Sequence, residues 1–307
     1  MTRALPASNM KALRARFDAT FHDAPLSEAE AADALAAYDL ILPTLGDRLG
    51  AGAFKGTVRA KLLANFGVGV NHIDVAAAKA VGVRVTNTPG AVTDATADIA
   101  LTLILMTARR AGEGERLVRA GAWTGWRPTQ MLGTHVTGLT VGIVGMGRIG
   151  QAVAHRCHHG LGMPVLYANR SPKDPGLPAR QLPLDALLAE ADVVVLAVPA
   201  TPETRHLIGR AELARMKPTA LLVNVARGDV VDEAALVDAL EAGTIAGAGL
   251  DVYEREPAVP PRLLALDNAV LLPHLGTAAL PVREAMGRMA LDNLVAFAEG
   301  RPLPNEV

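Results

Sequence analysis

Reactive side chains recur at equivalent places in the second half of this 307-residue sequence, each just beyond an apolar run. Arg227 follows residues 220–226 in VNVARGD. Glu254 and Glu256 follow 246–252 in DVYEREP, and His274 follows 270–273 in LLPHLG. Such runs read as buried parallel strands, and in an open α/β sheet ligands bind beyond the carboxyl ends of the strands. An arginine, a carboxylate and a histidine therefore converge on one edge. Solvated strand ends also collect charges by chance, but three complementary groups on one edge outweigh that reading. Arg227 grips a carboxylate and polarises the adjacent carbonyl. His274 gives a proton to the oxygen that becomes a hydroxyl, and a carboxylate beside it stabilises the imidazolium near neutral pH. This is the set required to reduce a 2-keto acid.

The same edge carries residues 139–151, LTVGIVGMGRIGQ, in which an apolar run meets a glycine-rich turn and then helical spacing in QAVAHRC. That is the setting of a dinucleotide fingerprint rather than of a plain βα turn. Gly145 permits the tight turn, Gly147 lets a pyrophosphate approach the backbone, and Gly150 allows close helix–strand packing. The start of the helix then holds the phosphates. Folds that choose NAD place an acid about 20 residues further on. Here the end of the run 164–168 leads to Asn169, Arg170 and Ser171, with no acid among them. Arg170 pairs with a 2′-phosphate, Asn169 and Ser171 add neutral hydrogen bonds, and Lys173 adds charge. The expected cofactor is NADPH. The alternative is that Arg170 merely faces solvent and NADH is accepted.

Elements that position these groups follow from periodicity. Residues 38–43, 60–65 and 83–86 read as strands, with helices at 27–37 and 73–81. Ser27 and Glu30 fit a capping box. After the glycine loop, further runs at 164–168, 192–198, 220–226, 246–252 and 270–273 complete a sheet of about six strands. The expected fold is α/β, with two doubly wound parallel-sheet domains: a Rossmann dinucleotide domain (93–276) inserted into a smaller flavodoxin-like substrate domain (1–92 and 277–307). Residues 93–120 form a long, unusually apolar helical stretch, expected to be buried on every side, that serves as an ordinary core helix, a hinge between domains, a subunit interface, or both of the last two. With Trp123 and Trp126 beside it, a homodimer is expected. A last helix, 281–299, stops at Gly300 with Pro302 behind it and crosses back to the first domain.

Half the residues are hydrophobic and the formal net charge is −1, which points to neither nucleic acid nor a membrane surface. Cys157 is the sole cysteine, so no intrachain disulfide forms. The N-terminus lacks the apolar core of a signal peptide, and 97–108 is too short to span a bilayer. These features describe a cytoplasmic globular protein. His155, Cys157, His158 and His159 cluster after the glycine loop, but no fourth ligand is evident. They read as solvent-facing, and no metal is expected. His72 stands near the loop GVG as a supporting or structural residue. His22, His135 and His206 carry no pattern.

Taken together, NFGVGVNHID, TNTPGAVTDATADIALTLIL, VGIVGMGRIGQAVA, VNVARGDVVDE, AGLDVYEREP and LLPHLGTA resemble the D-2-hydroxyacid dehydrogenase family over nearly the whole chain. AWTGWRPTQMLG is most similar to its glyoxylate/hydroxypyruvate reductase branch. The resemblance implies that Arg227 binds substrate, that Glu256 pairs with histidine, and that His274 is the general acid/base. It implies that Val68 and Gly69 donate backbone N–H groups to the substrate carboxylate. For the cofactor it implies Gly145, Gly147, Arg148, Ile149, Gly150, Asn169, Arg170, Ser171, Val198, Pro199, Thr204, Val225, Ala226, Asp251, His274 and Gly276. It also points to a homodimer. Other readings are family members acting on D-lactate, D-glycerate or phosphoglycerate, and a nucleotide-sensing corepressor-like protein. The chain stops soon after its last helix, so no added regulatory domain is expected. One departure is that family members begin with an apolar strand where only Met1 precedes TRALP here, so either that strand is shortened or the start is mis-set and true residues are missing.

Overall fold

The computed structural model describes residues 1–307, which divide into two compact units: Met1–Val92 with Thr277–Val307, and Thr93–Gly276.

In the first unit, β1 (Leu40–Ile41), β2 (Leu62–Ala64) and β3 (Arg84–Thr86) form a parallel sheet in that order. Helices α1 (Ala7–Arg14), α2 (Glu28–Ala37) and α3 (Val75–Ala80) belong to the same unit. Two of these helix starts have a local cause. Ser27 and Glu30 form the expected reciprocal cap on α2, and Asp74 Oδ1 accepts from Ala77 N (2.9 Å) to cap α3. All three residues of β2 are buried, as a strand covered on both faces requires. Thr2 N donates to Leu42 O (3.3 Å), so the N-terminal residues lie along β1.

The second unit begins with α4 (Thr93–Ala108) and α5 (Ala111–Arg119). Its strands are β4 (Val141–Val144), β5 (Val165–Ala168), β6 (Ala179–Gln181), β7 (Val193–Leu196), β8 (Leu221–Asn224), β9 (Gly247–Leu250) and β10 (Ala269–Leu271). They form one parallel sheet of order β10-β9-β8-β7-β4-β5-β6. The chain builds outward from β4 to β6, then returns to the other side of β4 with β7. This reversal opens a crevice at the carboxyl ends of β4 and β7, the place where such sheets bind ligands. Connecting helices are α6 (Arg148–His155), α7 (Leu184–Glu190), α8 (Arg210–Arg215), α9 (Glu233–Glu241) and α10 (Pro261–Leu264). Along β7, Val193 and Val195 enter the core formed with α4 and α6, whereas Val194 and Leu196 enter the core formed with α7 and α9. That two-sided burial explains a strand without polar alternation. The chain then returns to the first unit with α11 (Leu280–Ala298), which packs on α1 and β2 and ends at Gly300, φ +66°.

Three expectations need correcting. The second sheet has seven strands rather than about six. The extra one, β6, is an exposed edge strand reading ARQ, which has no apolar signature. The stretch 93–120 is two helices, because Arg110 between them adopts a left-handed conformation, φ +52°. Nor is α4 buried all round. Ala97, Ala100, Leu103, Ile104 and Ala108 face the core, while Leu105 is 37% exposed. No helix is long and apolar enough to cross a membrane.

Candidate active site

The turn after β10 places His274. It stands at φ +55°, a left-handed conformation that costs a non-glycine residue of order 1 kcal/mol or more. Asp251, at the end of the adjacent β9, holds it there. Its carbonyl accepts from His274 N (3.0 Å), and its carboxylate accepts from Leu275 N (2.6 Å) and Gly276 N (2.8 Å). Burial raises the Asp251 pKa, and these two N–H groups only partly offset it. From α4, Thr96 Oγ1 donates to Gly276 O (3.1 Å) and closes the turn from the other side.

Held in this way, His274 Nδ1 lies 2.8 Å from Glu256 Oε2. The second carboxylate oxygen of Glu256 accepts from Tyr253 N (3.1 Å), and Tyr253 Oη donates to Leu272 O (3.0 Å), tying the loop after β9 to the end of β10. Burial alone would raise the Glu256 pKa. The His274 hydrogen bond and charge, the Tyr253 N–H and the Arg227 charge together hold it below the usual value. Glu256 is therefore an anion at neutral pH. It faces Nδ1 of the imidazole and leaves Nε2 without a hydrogen bond to the chain.

Two acids follow β9, and the geometry separates them. Glu254 turns away from His274 and pairs with His206 Nε2 instead. His206, without a readable pattern in the sequence, is thus a structural partner. Its backbone N–H also donates to Asp229 O (2.7 Å).

Arg227 follows β8. Asn224, almost fully buried at the end of that strand, accepts from Ala226 N (3.0 Å) and donates to Arg227 O (2.8 Å), which shapes the turn. Gly228 then approaches the next loop so closely that a Cβ would lie 1.8 Å from the Tyr253 carbonyl carbon. This contact brings Arg227 beside the 253–256 loop. Burial lowers the guanidinium pKa, opposed by the charges of Glu256 and Asp229. Arg227 Nη1 donates to Ala226 O (2.7 Å).

The glycine loop fits a dinucleotide. Gly145 has φ +99°, and a Cβ there would meet Ala197 O at 2.7 Å. A Cβ at Gly150 would meet Gly145 O at 2.0 Å, whereas one at Gly147 would meet nothing within 4 Å. Two glycines are thus required by packing, and the third leaves open space at the start of α6. No side chain caps that helix, so Arg148 and Ile149 begin it with N–H groups available to phosphate. Val198 and Pro199 lie beyond β7, with Thr204 Oγ1 donating to Pro199 O (2.8 Å), and Val225 and Ala226 lie beyond β8. At the end of β5 the expected neutral donors are partly engaged. Asn169 Oδ1 accepts from Met146 N (3.2 Å) and its Nδ2 donates to Ser171 O (2.8 Å), while Arg170 and Ser171 are exposed.

Elsewhere in the second unit, His155 and His158 are partly buried rather than solvent-facing. They bond Pro175 O (2.7 Å) and Met163 O (3.2 Å). Burial pushes the Cys157 thiol up to about 12, so it is unreactive. No group of three or more His, Cys, Asp or Glu side chains is close enough to hold a metal ion. In the first unit, Asn87 Nδ2 donates to Val68 O (2.9 Å) and Asn65 Nδ2 to Gly67 O and Gly69 O (both 3.0 Å). Those carbonyls are turned inward, and the N–H groups of Val68 and Gly69 are left unused by the chain.

Residues 101–276 match the family model for the D-isomer specific 2-hydroxyacid dehydrogenase, NAD binding domain. The chain belongs to the D-2-hydroxyacid dehydrogenases. It is an NAD(P)-dependent oxidoreductase acting on CH–OH groups. A glyoxylate reductase of Thermococcus onnurineus is 45% identical, covering 100% of this chain and 94% of its own. A crystal structure from Thermus thermophilus superposes with a TM-score of 0.93 at 46% identity, covering 100% of this chain and 98% of that one. The NADPH-dependent glyoxylate/hydroxypyruvate reductase of Sinorhizobium meliloti, solved with NADP and malonate, gives 0.90 at 35% identity over 99% and 94%.

In this dehydrogenase, Asp251→Asn leaves only one oxygen for two N–H donors. The reduction rate is expected to fall about 5- to 150-fold, the equivalent of about 1–3 kcal/mol for an unmet buried donor. Because the Asp251 pKa is raised in the folded state, its contribution to stability is present at low pH and lost as pH rises through that pKa. Urea midpoints at pH 4 and pH 7 should therefore favour the parent over the variant more at pH 4. An unchanged rate, or the opposite pH trend, contradicts this account.

Proposed function

We propose that this enzyme reduces small 2-keto acids, glyoxylate and hydroxypyruvate first, to 2-hydroxy acids with NADPH, and that His274 donates the proton. The observation that carries the reading is the 2.8 Å His274–Glu256 contact with Arg227 beside it, on the sheet edge that bears the glycine loop. The names of its Thermococcus and Sinorhizobium relatives support the substrate class. A bound reduced nicotinamide supplies hydride to the carbonyl carbon. Arg227 binds the substrate carboxylate and polarises the carbonyl, and the Val68 and Gly69 N–H groups add hydrogen bonds to that carboxylate. The His274 Nε2 proton moves to the carbonyl oxygen as the new C–H bond forms, and Glu256 stabilises the imidazolium until it is delivered. In oxidation the same nitrogen takes the hydroxyl proton.

His274→Ala is expected to lower glyoxylate turnover about 10²- to 10⁴-fold while leaving cofactor affinity nearly intact. Glu256→Gln should act more mildly, because the amide oxygen can still accept from Nδ1 while the negative charge beside the imidazole is lost. Near-parental turnover in the alanine variant would overturn the assignment.

The cofactor preference rests on Arg170, exposed at the end of β5 where NAD-choosing folds place an acid. The S. meliloti relative bound to NADP agrees with it. Catalytic efficiency should be higher with NADPH than with NADH, and an Asn169→Asp, Arg170→Ala pair should shift the ratio toward NADH. The aspartate can still accept from Met146 N but loses the donation of Asn169 Nδ2 to Ser171 O. A parent preferring NADH would refute this proposal.

We also propose a cytoplasmic homodimer joined through the second unit. Trp123, Trp126 and Leu132 are 53%, 79% and 68% exposed, and Leu117, Val118, both tryptophans and Met131 line an apolar groove. Large apolar side chains grouped in this way mark an interaction surface. Light scattering at micromolar concentration should return twice the 32.0 kDa of one chain, and a monomer mass would exclude it.

A further inference from the structure

The loop between β5 and β6 is exposed at Arg170, Ser171, Pro172 and Lys173, yet it is anchored from beneath. Tyr167, 4% exposed on β5, reaches it with one hydroxyl that accepts from Lys173 N (3.1 Å) and donates to Lys173 O (3.0 Å). Gln181 Oε1 is a second acceptor at 3.4 Å. Gln181 Nε2 donates to Asn169 O (2.9 Å), and His155 on α6 bonds Pro175 O at 2.7 Å. Ordering a free backbone costs conformational entropy, so a loop fixed before binding spares its ligand that loss. The side chains it displays are Arg170, Ser171 and Lys173, two cations and a hydroxyl around one turn. Glu203 is the anion whose charge reaches Arg170. Its carboxyl is held below the usual range chiefly by its hydrogen bond with Thr201.

We propose that Tyr167 is a specificity-determining positioning residue. By holding both backbone groups of Lys173 it keeps residues 170–173 as a preformed cradle for a phosphomonoester dianion, the 2′-phosphate of NADPH. Discrimination between the two cofactors then depends on a buried hydroxyl that touches neither. The inference rests on the reading of Arg170 given above and extends it to the residues that aim the guanidinium. It also gives His155 a role, as a staple on the same loop rather than a ligand.

The test is isothermal titration calorimetry of the full chain with NADP⁺ and NAD⁺, on the parent and on Tyr167→Phe, Arg170→Ala, the double variant and His155→Ala. Tyr167→Phe keeps the ring in the core and removes only the hydroxyl. It should weaken NADP⁺ about 5-fold, the worth of one hydrogen bond, and leave NAD⁺ within about 2-fold. On the Arg170→Ala background it should add nothing, because the group it aims is gone. His155→Ala, which reads the same loop from outside the strand, should act in the same direction and does not depend on the tyrosine variant folding. Equal weakening of both cofactors, no change in either, or an undiminished Tyr167→Phe effect without Arg170 overturns the inference. If Arg170→Ala itself leaves the NADP⁺/NAD⁺ ratio unchanged, the cofactor reading fails first. If Arg170→Ala shifts the ratio and the two staple variants do not, only the inference fails.

Discussion

The candidate active site depends on one buried carboxylate gripping a backbone turn. Asp251 takes the N–H groups of Leu275 and Gly276 on its two oxygens and that of His274 on its carbonyl, which fixes a left-handed histidine at the end of β10. Without that grip the turn would relax toward the ordinary right-handed or extended regions, and the imidazole would swing away from Glu256. An asparagine cannot replace it, since one of its two terminal atoms is a donor that would face a donor. The need for two acceptors at one place explains why an acid occupies a buried position that disfavours charge.

A second constraint is steric. Gly228 lies against the Tyr253 backbone with no room for a Cβ, so the loops after β8 and β9 touch main chain to main chain. Arg227 and Glu256 are far apart in the chain, yet that contact makes them neighbours whose charges are felt in both pKa values. Asn224 sets the direction of approach by bonding both sides of the turn that begins at Ala226. The parallel sheet supplies the common edge. The glycine and the asparagine convert adjacency along that edge into contact.

These causes decide what a reader of the chain could and could not foresee. The glycine loop was legible because each glycine answers a local demand: a positive φ, an open approach or a close crossing. His274 and Arg227 were legible because strand ends can be counted. Counting strand ends leaves Glu254 and Glu256 equivalent, since both follow β9; the family resemblance singles out Glu256, and the fold supplies the physical reason, because His206, remote in sequence, claims Glu254. Asp251, Asn224 and Thr96 work through backbone groups and leave no periodic trace. Similarly, β6 escaped notice because an exposed edge strand needs no apolar residues. The break at Arg110 escaped because nothing marks a left-handed arginine beforehand.

The energetics of the three charges separate what folding favours from what catalysis requires. Glu256 has a lowered pKa, so as an anion it adds stability above its unfolded value. Burial shifts Asp251 and Arg227 the other way, each toward its neutral form, so at neutral pH their charges work against the fold. A sequence selected for stability alone would replace such groups with apolar ones of similar volume, which is often neutral or favourable. Their presence is understandable only if a fixed turn and a fixed cation are needed there. The apolar layers on both sides of the sheet, with Ile143, Val195 and Val223 on one face and Val194, Leu196 and Leu222 on the other, supply the surplus that tolerates them. Stability is thus drawn from the middle of the sheet and used at the carboxyl ends of its strands, where the reacting groups stand.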